Sequence, residues 1–91
     1  MTNTPEIYKV VDYFDVWGNK KDGFEVNNLA TVGEITVKDY TDTKEIIQAL
    51  KAIDYLASHC RTNMFDVWND YDMIEFNHKN GRPMFRLERQ Q

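Results

Sequence analysis

One set of side chains in this sequence could supply a nucleophile and its base, namely Cys60, His78 and Asp72. A catalytic thiolate needs a base to take its proton, and the base needs a carboxylate to orient it. Cys60 is the only cysteine and stands near the end of a predicted helix, where a buried and inert thiol is the usual situation. We therefore expect no catalytic residue and predict that the protein is not an enzyme.

Metal and phosphate sites are also poorly supported by the spacing of the residues. His59, Cys60 and His78 could each donate to zinc, but a structural site needs four ligands, and the adjacent His59 and Cys60 side chains diverge. Gly18 and Gly23 have the spacing of a phosphate-binding loop, yet Phe and Glu follow where Lys and Ser or Thr are required. We expect neither a metal nor a cofactor.

The charge of the chain limits its partners. Eleven basic residues against fifteen acidic ones give a net charge of -4, which argues against a protein that neutralises many phosphates of a nucleic acid. A single cysteine cannot form an intramolecular disulfide, and no stretch approaches the 18 or so apolar residues of a membrane span. We expect a cytoplasmic protein with no membrane partner.

The residues Phe-Asp-Val-Trp occur twice, at 14–17 and at 65–68. Strand ends of similar sequence explain this better than duplication, because the identity stops after four residues. Trp is enriched at the energetic centres of protein interfaces, so two such corners on neighbouring loops would form an aromatic contact site. The alternative is that both tryptophans cap a thin core. The predicted partner-binding residues are Asp15, Trp17, Asn19, Lys20, Lys21, Asp22, Asp66 and Trp68.

Two charged surfaces remain as alternatives. The acids near residues 12–25 and 66–75 could mimic a nucleic-acid backbone and occupy a basic groove on a partner. The opposite alternative is a small nucleic-acid-binding regulator that combines basic side chains with nearby aromatic rings. The predicted residues of that second surface are Lys79, Arg82, Arg86 and Arg89. Pairing of Arg86 with Glu75 would weaken it. An exposed sheet edge could also form a homodimer.

The first 38 residues predict three strands. Residues 7–17 are rich in β-branched and aromatic side chains, and turn-forming residues follow at 18–23. Strands are expected again at 24–29 and at 31–38, where Ile35 and Val37 share one face. Gly33 is the expected position of a bulge.

Apolar residues at helical spacing predict one amphipathic helix over residues 43–57. Asp42 is placed to cap its first turn, and Glu45, three residues later, completes a capping-box pattern. The remaining polar positions, Lys44, Gln48 and Lys51, are expected to face solvent.

The C-terminal third predicts a hairpin with a definite register. Asn80 and Gly81 form the preferred pair for a two-residue type I′ turn. That turn sets Phe76 opposite Phe85 and Ile74 opposite Leu87 on one face, and Glu75 opposite Arg86 on the other. Another strand is expected at 64–68.

These elements predict one small α+β domain over residues 1–91, with residues 1–5 as a flexible N-terminus. Its fold is an antiparallel β-sheet of five to six strands with one amphipathic helix packed on a face, in the order βββ-α-βββ. The predicted core consists of Phe76, Phe85, Ile74, Leu87, Ile35, Val37, Ile46, Leu50 and Ile53.

Three stretches of the chain carry a resemblance: residues 14–28, the helix start at 41–47, and Asn-Gly-Arg-Pro-Met-Phe-Arg-Leu-Glu at 80–88. Together they resemble small uncharacterised proteins of bacteriophages and prophages, over nearly the whole chain. Those proteins carry no assigned activity, so the resemblance implies no site residue. It implies an accessory protein of a bacterial cytoplasm that binds and modulates a host or defence protein.

Overall fold

Five antiparallel strands form one sheet in the order β2-β1-β5-β4-β3, and one helix packs on it. The computed structural model describes residues 4–91, so the prediction for residues 1–3 lies outside the described residues. The α+β class and the antiparallel five-stranded sheet are confirmed, with the strands and helix roughly in the predicted order. The elements are β1 (Glu6–Asn19), β2 (Gly23–Val37), α1 (Thr43–Ala52), a 3-10 turn (Thr62–Met64), β3 (Phe65–Asn69), β4 (Met73–His78) and β5 (Pro83–Arg89).

The first half contains two long strands, where three were predicted. The segments expected at 24–29 and 31–38 are one continuous strand, β2. A bulge next to Gly33 carries the chain through, since Val10 pairs with Gly33 and Val11 with Thr31, which leaves Val32 without a partner. Bulges absorb an extra residue by bending a strand instead of ending it.

Helix α1 ends at Ala52, five residues before the predicted end at residue 57. Asp54 adopts a left-handed φ of 61°. The amide of Tyr55 donates to the Leu50 carbonyl, and that of Asp54 donates to the Lys51 carbonyl. These bonds form a Schellman ending, which usually has Gly at the left-handed position and here has Asp. Without a glycine to mark it, the end of the helix left no signal in the sequence.

The start of α1 follows half of the predicted capping box. The Asp42 carboxylate accepts a hydrogen bond from the Glu45 amide, as expected for an N-cap. The Glu45 carboxylate, however, accepts the amides of Lys38 and Asp39 at 2.7 and 3.0 Å. Glu45 therefore fastens the end of β2 to the first turn of the helix instead of capping Asp42.

The predicted register of the C-terminal hairpin is confirmed, but its turn is different. Phe76 pairs with Phe85, and the two flanking predicted pairs also form. The turn has three residues, closed by hydrogen bonds from the Gly81 amide to His78 and from the His78 amide to Arg82. Only Gly81 in it has a positive φ, so it is not type I′. A bulge after Phe76 restores the predicted pairing.

The core lies between α1 and one face of the sheet. Every predicted core residue is buried except Ile53, which is 41% exposed because it follows the end of the helix and packs over Gly33 at the sheet edge. Phe76 stacks on Phe85 with ring centroids 4.5 Å apart, and Phe65 meets Phe76 edge to face. The core also contains residues outside the predicted list, namely Tyr8, Val10, Ile47, Leu56, Phe65 and Cys60, the last of which was expected to be a buried thiol.

Candidate protein-binding surface

The β1–β2 hairpin extends beyond the rest of the sheet as a two-stranded ribbon. Strand β1 pairs with β5 only over residues 8–12, whereas its pairing with β2 continues to Asn19 and Gly23. We call residues 13–30 the arm. The molecule measures 43 Å along its longest axis against 27 and 25 Å along the others. A two-stranded ribbon is marginally stable alone, so the arm depends on its attachment to the sheet.

Large apolar side chains of the arm are exposed to solvent. Phe14 is 62% exposed, Trp17 63% and Leu29 45%. Phe14 sits at a bulge, because Tyr13 pairs with Leu29 and Asp15 with Asn28. None of these three side chains belongs to the buried core. The explanation that Trp17 caps a thin core is therefore wrong. Exposed apolar groups gathered on one projection are typical of a contact surface.

Trp17 is held in place although it is exposed. Its indole Nε1 donates to the Asp15 carboxylate, which also accepts the Asn28 amide group at 2.9 Å. Asp15 thereby links β1 to β2 beside the indole. A ring whose rotamer is already restricted loses less entropy when a partner covers it.

The tip of the arm carries the remaining predicted contact residues. The Asn19 side-chain oxygen accepts a hydrogen bond from the Asp22 backbone amide at 2.8 Å. The Asn19 side-chain nitrogen donates a second hydrogen bond to the Asp22 carboxylate. Lys20 and Lys21 are exposed and form no ion pair among residues 4–91. With Asp22 held by Asn19, the tip is mixed in charge and does not form an acidic surface.

Trp68 does not join Trp17. It lies in β3, 67% exposed, on the sheet face opposite the helix, because its neighbour Val67 packs against the core. Its row crosses the sheet through Glu75 and Arg86 to Val11. Trp17 is about 14 Å across the sheet and about 20 Å along it from Trp68 by strand spacing. The prediction of one aromatic site on neighbouring loops is therefore wrong.

The two Phe-Asp-Val-Trp segments have different surroundings. Phe65 is buried in the core, whereas its counterpart Phe14 is exposed. Asp66 forms a 3.4 Å ion pair with Lys79, whereas Asp15 binds Trp17 and Asn28. The identity of these four residues marks neither a repeat nor a shared site.

The predicted basic surface is not assembled. The Arg82 guanidinium donates to the Val16 carbonyl at 3.0 Å and so fastens the β4–β5 turn to the arm. Arg86 and Arg89 are three residues apart in β5 and point to opposite faces. Of the aromatic rings near them in the sequence, Phe85 is buried, whereas the Arg89 guanidinium lies over the Tyr71 ring, 4.3 Å from its centroid. These residues are distributed over the molecule.

Each of the two arginines in β5 is engaged with acids. Arg86 pairs with Glu88 at 2.6 Å and contacts the Tyr13 hydroxyl, and it forms no salt bridge with Glu75, its cross-strand neighbour. Burial works against its charge, but these hydrogen bonds raise the pKa of Arg86 above its ordinary value. Arg89 pairs with Asp72 at 2.8 Å, and this hydrogen bond raises its pKa. Neither arginine is available without breaking an internal contact.

The nucleophile and metal combinations are not brought together either. Asp72 immediately precedes β4 and His78 ends it, which places them about 20 Å apart by strand geometry. Cys60 is buried in the core and Asp72 binds Arg89. Within residues 4–91, no group of three or more His, Cys, Asp and Glu side chains is arranged to hold a metal ion.

The roles of Phe14 and Leu29 in the arm, and of Arg82 in holding it, were not predicted from the sequence. Alternation of apolar residues in 24–29 marked a strand but did not show that the strand lacks a covering layer. Arg82 follows a turn, where an exposed cation is the ordinary expectation. Only the position of the arm beside the β4–β5 turn shows its contact.

Comparison of this chain with known proteins gives no relative from which a function could be transferred. Among residues 4–91, none of the helices combines the length and the hydrophobicity of a membrane span. No protein-family model, curated protein or solved structure matches the chain.

Proposed function

We propose that this protein is a non-enzymatic binding protein that contacts another protein through the arm, with Trp17 as the anchor. The observation that carries the proposal is the exposure of Phe14 and Trp17 on a ribbon outside the core. An exposed large ring costs solubility and adds nothing to the stability of the fold, so a bound partner is the simplest account of it.

The polar residues around Trp17 favour a protein surface over a nucleic acid. Asp15 and Glu25 stand beside the ring, and the Lys20 and Lys21 ammonium groups lie at the tip. A mixture of signs around an apolar centre matches the polar rim of protein interfaces. Nucleic-acid binding draws on many unneutralised cations, and Arg82, Arg86 and Arg89 are engaged internally.

We take the partner to be a host or defence protein of a bacterial cytoplasm, which rests on the resemblance to phage and prophage proteins alone. A regulator that binds nucleic acid through Lys79 and the three arginines is the alternative function. It would have to break the contacts of those arginines within the chain.

The two tryptophans allow a matched test. The tagged protein is used to capture its partner from a bacterial lysate with and without nuclease, and the dissociation constant of that partner is then measured. Trp17→Ala is expected to weaken binding about 30-fold or more, the loss of an interface anchor worth about 2 kcal/mol. Trp68→Ala removes an equally exposed tryptophan of a strand, 67% against 63%, and is expected to leave binding within about twofold.

Both variants should keep the urea midpoint of the parent chain, since exposed side chains contribute within about 0.5 kcal/mol to stability. Equal affinities for the Trp17→Ala variant and the parent would refute the arm as the contact surface. Capture that disappears with nuclease and with Lys79→Ala, which leaves the arm untouched, would instead support the nucleic-acid alternative.

A further inference from the structure

A groove of about 330 Å³ lies between α1 and the segment that precedes β3. The helix contributes positions separated by three, one and three residues, which share one face. The facing wall is formed by residues 60–62, around the start of the 3-10 turn. The lining residues are Lys44, Ile47, Gln48, Lys51, Cys60, Arg61 and Thr62. No residue of the arm belongs to it.

The charge of the groove is opposite to that of the molecule. Its lining includes three cationic side chains, Lys44, Lys51 and Arg61, and no acid, although the chain has a net charge of -4. None of the three forms an ion pair within residues 4–91, whereas Lys79, Arg86 and Arg89 all do. A cleft lined by one sign of charge concentrates ions of the other sign.

The remaining lining residues describe the shape of a suitable ligand. Ile47 and Cys60 are buried and provide an apolar floor, while Gln48 and Thr62 can donate hydrogen bonds. The Arg61 guanidinium is a planar fork that matches two oxygens of a phosphate, and the two lysines lie about 10 Å apart along the helix axis. A volume near 300 Å³ is at the lower limit for small-molecule sites.

We propose that this groove binds a small phosphate monoester, with the phosphate held among Lys44, Lys51 and Arg61 and its apolar part resting on Ile47 and Cys60. The groove shares no residue with the arm, so this ligand is separate from the protein partner proposed for the arm. Phosphate is favoured over a carboxylate because three cationic side chains and no acid line the groove, and a phosphate monoester brings up to two negative charges where a carboxylate brings one.

The test titrates the 91-residue chain with phenyl phosphate, inorganic phosphate or phenol. Binding of each probe is monitored through the backbone amide chemical shifts. Phenyl phosphate is expected to shift the amides of residues 44–51 and 60–62 saturably and to bind at least about tenfold more tightly than either other probe. It should also slow alkylation of Cys60, which lies on the floor of the groove.

Substitution distinguishes this site from general attraction of anions. Lys51→Gln and Arg61→Gln are each expected to weaken phenyl phosphate binding about tenfold. Lys20→Gln removes the same charge from the exposed tip of the arm and should leave binding unchanged. All three are surface substitutions whose folding is verified from their urea midpoints. Shifts spread over all the lysines, no saturation, or an equal loss with Lys20→Gln would each overturn the proposal.

Discussion

The tyrosines are the residues whose chemistry the fold alters most. The Tyr8 ring of β1 is buried in the core, and its hydroxyl donates to the Tyr71 carbonyl at 2.7 Å. Burial raises the pKa of Tyr8 to about 12. Burial, together with a hydrogen bond to the Asp12 carboxylate, also raises the pKa of Tyr55 above its ordinary value. Both phenols therefore stay neutral to a higher pH in the folded chain than in the unfolded chain.

This shift predicts a loss of stability in alkali. A raised pKa in the folded state means that stability is complete below the unfolded value of 10.0 and falls as pH rises toward about 12. Tyr8→Phe should reduce the slope of the free energy of unfolding against pH in that range. At neutral pH it should cost about 1 kcal/mol for the lost hydrogen bond.

Urea unfolding at a series of pH values measures both effects. Tyr40→Phe is the control and should keep the pH dependence of the parent chain, because the Tyr40 hydroxyl is not among the groups that raise the pKa of Tyr8. A Tyr8→Phe chain with an unchanged alkaline slope would show that Tyr8 does not carry the effect.

Among the elements, the β1–β2 hairpin depends on two glycines with different surroundings. Gly18 and Gly23 both have positive φ, at 111° and 93°. A Cβ on Gly18 would lie 2.2 Å from the Gly23 carbonyl oxygen, whereas a Cβ on Gly23 would meet nothing within 4 Å. Both positions have a backbone conformation that is unfavourable for a residue with a side chain. Only Gly18 also lacks room for a Cβ.

Gly23→Ala should therefore cost about 1 to 2 kcal/mol from its backbone conformation alone. Gly18→Ala should cost more, because backbone atoms must move apart as well. Urea midpoints and amide shifts of the arm report the two costs. Equal losses would contradict the close approach of the chain at Gly18.

Helix α1 shows how local signals can fail at an element's end. The apolar spacing continues through Ile53 and Leu56, so it predicts helix beyond the place where hydrogen bonding stops. Asp54 takes the left-handed conformation at that point. Non-glycine residues adopt this conformation only when their surroundings stabilise it, and here the ending lets Leu56 reach the core.

For the whole molecule, stability is expected to be uneven. The sheet between β1 and β4 is covered by α1, whereas the arm has neighbours on few sides and residues 27–32 are all exposed. Regions with few buried contacts open locally at a lower free energy than the core. A partner that covers the arm would stabilise it in proportion to its occupancy.

Hydrogen exchange tests this expectation. Ladder amides of the arm should exchange at a lower free energy than those of Val10, Phe85 and Leu87, which should approach the global value. Arg82→Ala should lower the protection of the arm further, because its bond to the Val16 carbonyl is lost. Uniform protection over both regions would contradict a separately opening arm.

Several features of the fold could be predicted from local chemistry. Side-chain alternation gave the faces of Ile35 and Val37, and helical spacing gave the buried side of α1. The pairing of Phe76 with Phe85 was predicted from the turn and the apolar pattern. This pairing is correct although the predicted turn type is wrong. Such patterns succeed because one buried face strongly specifies register.

The candidate sites depended on tertiary structure. Exposed residues of a strand and of a solvent-facing helix look alike in sequence whether or not another segment lies beside them. Contacts distant in sequence assign Arg82 to the arm, separate Trp17 from Trp68, and place Lys44 and Lys51 in one groove with Arg61. Periodicity in the sequence determined which face of each element is buried. Which exposed residues share a surface was decided only by the packing of the elements. That packing depends on the chain topology, which residues adjacent in sequence do not reveal.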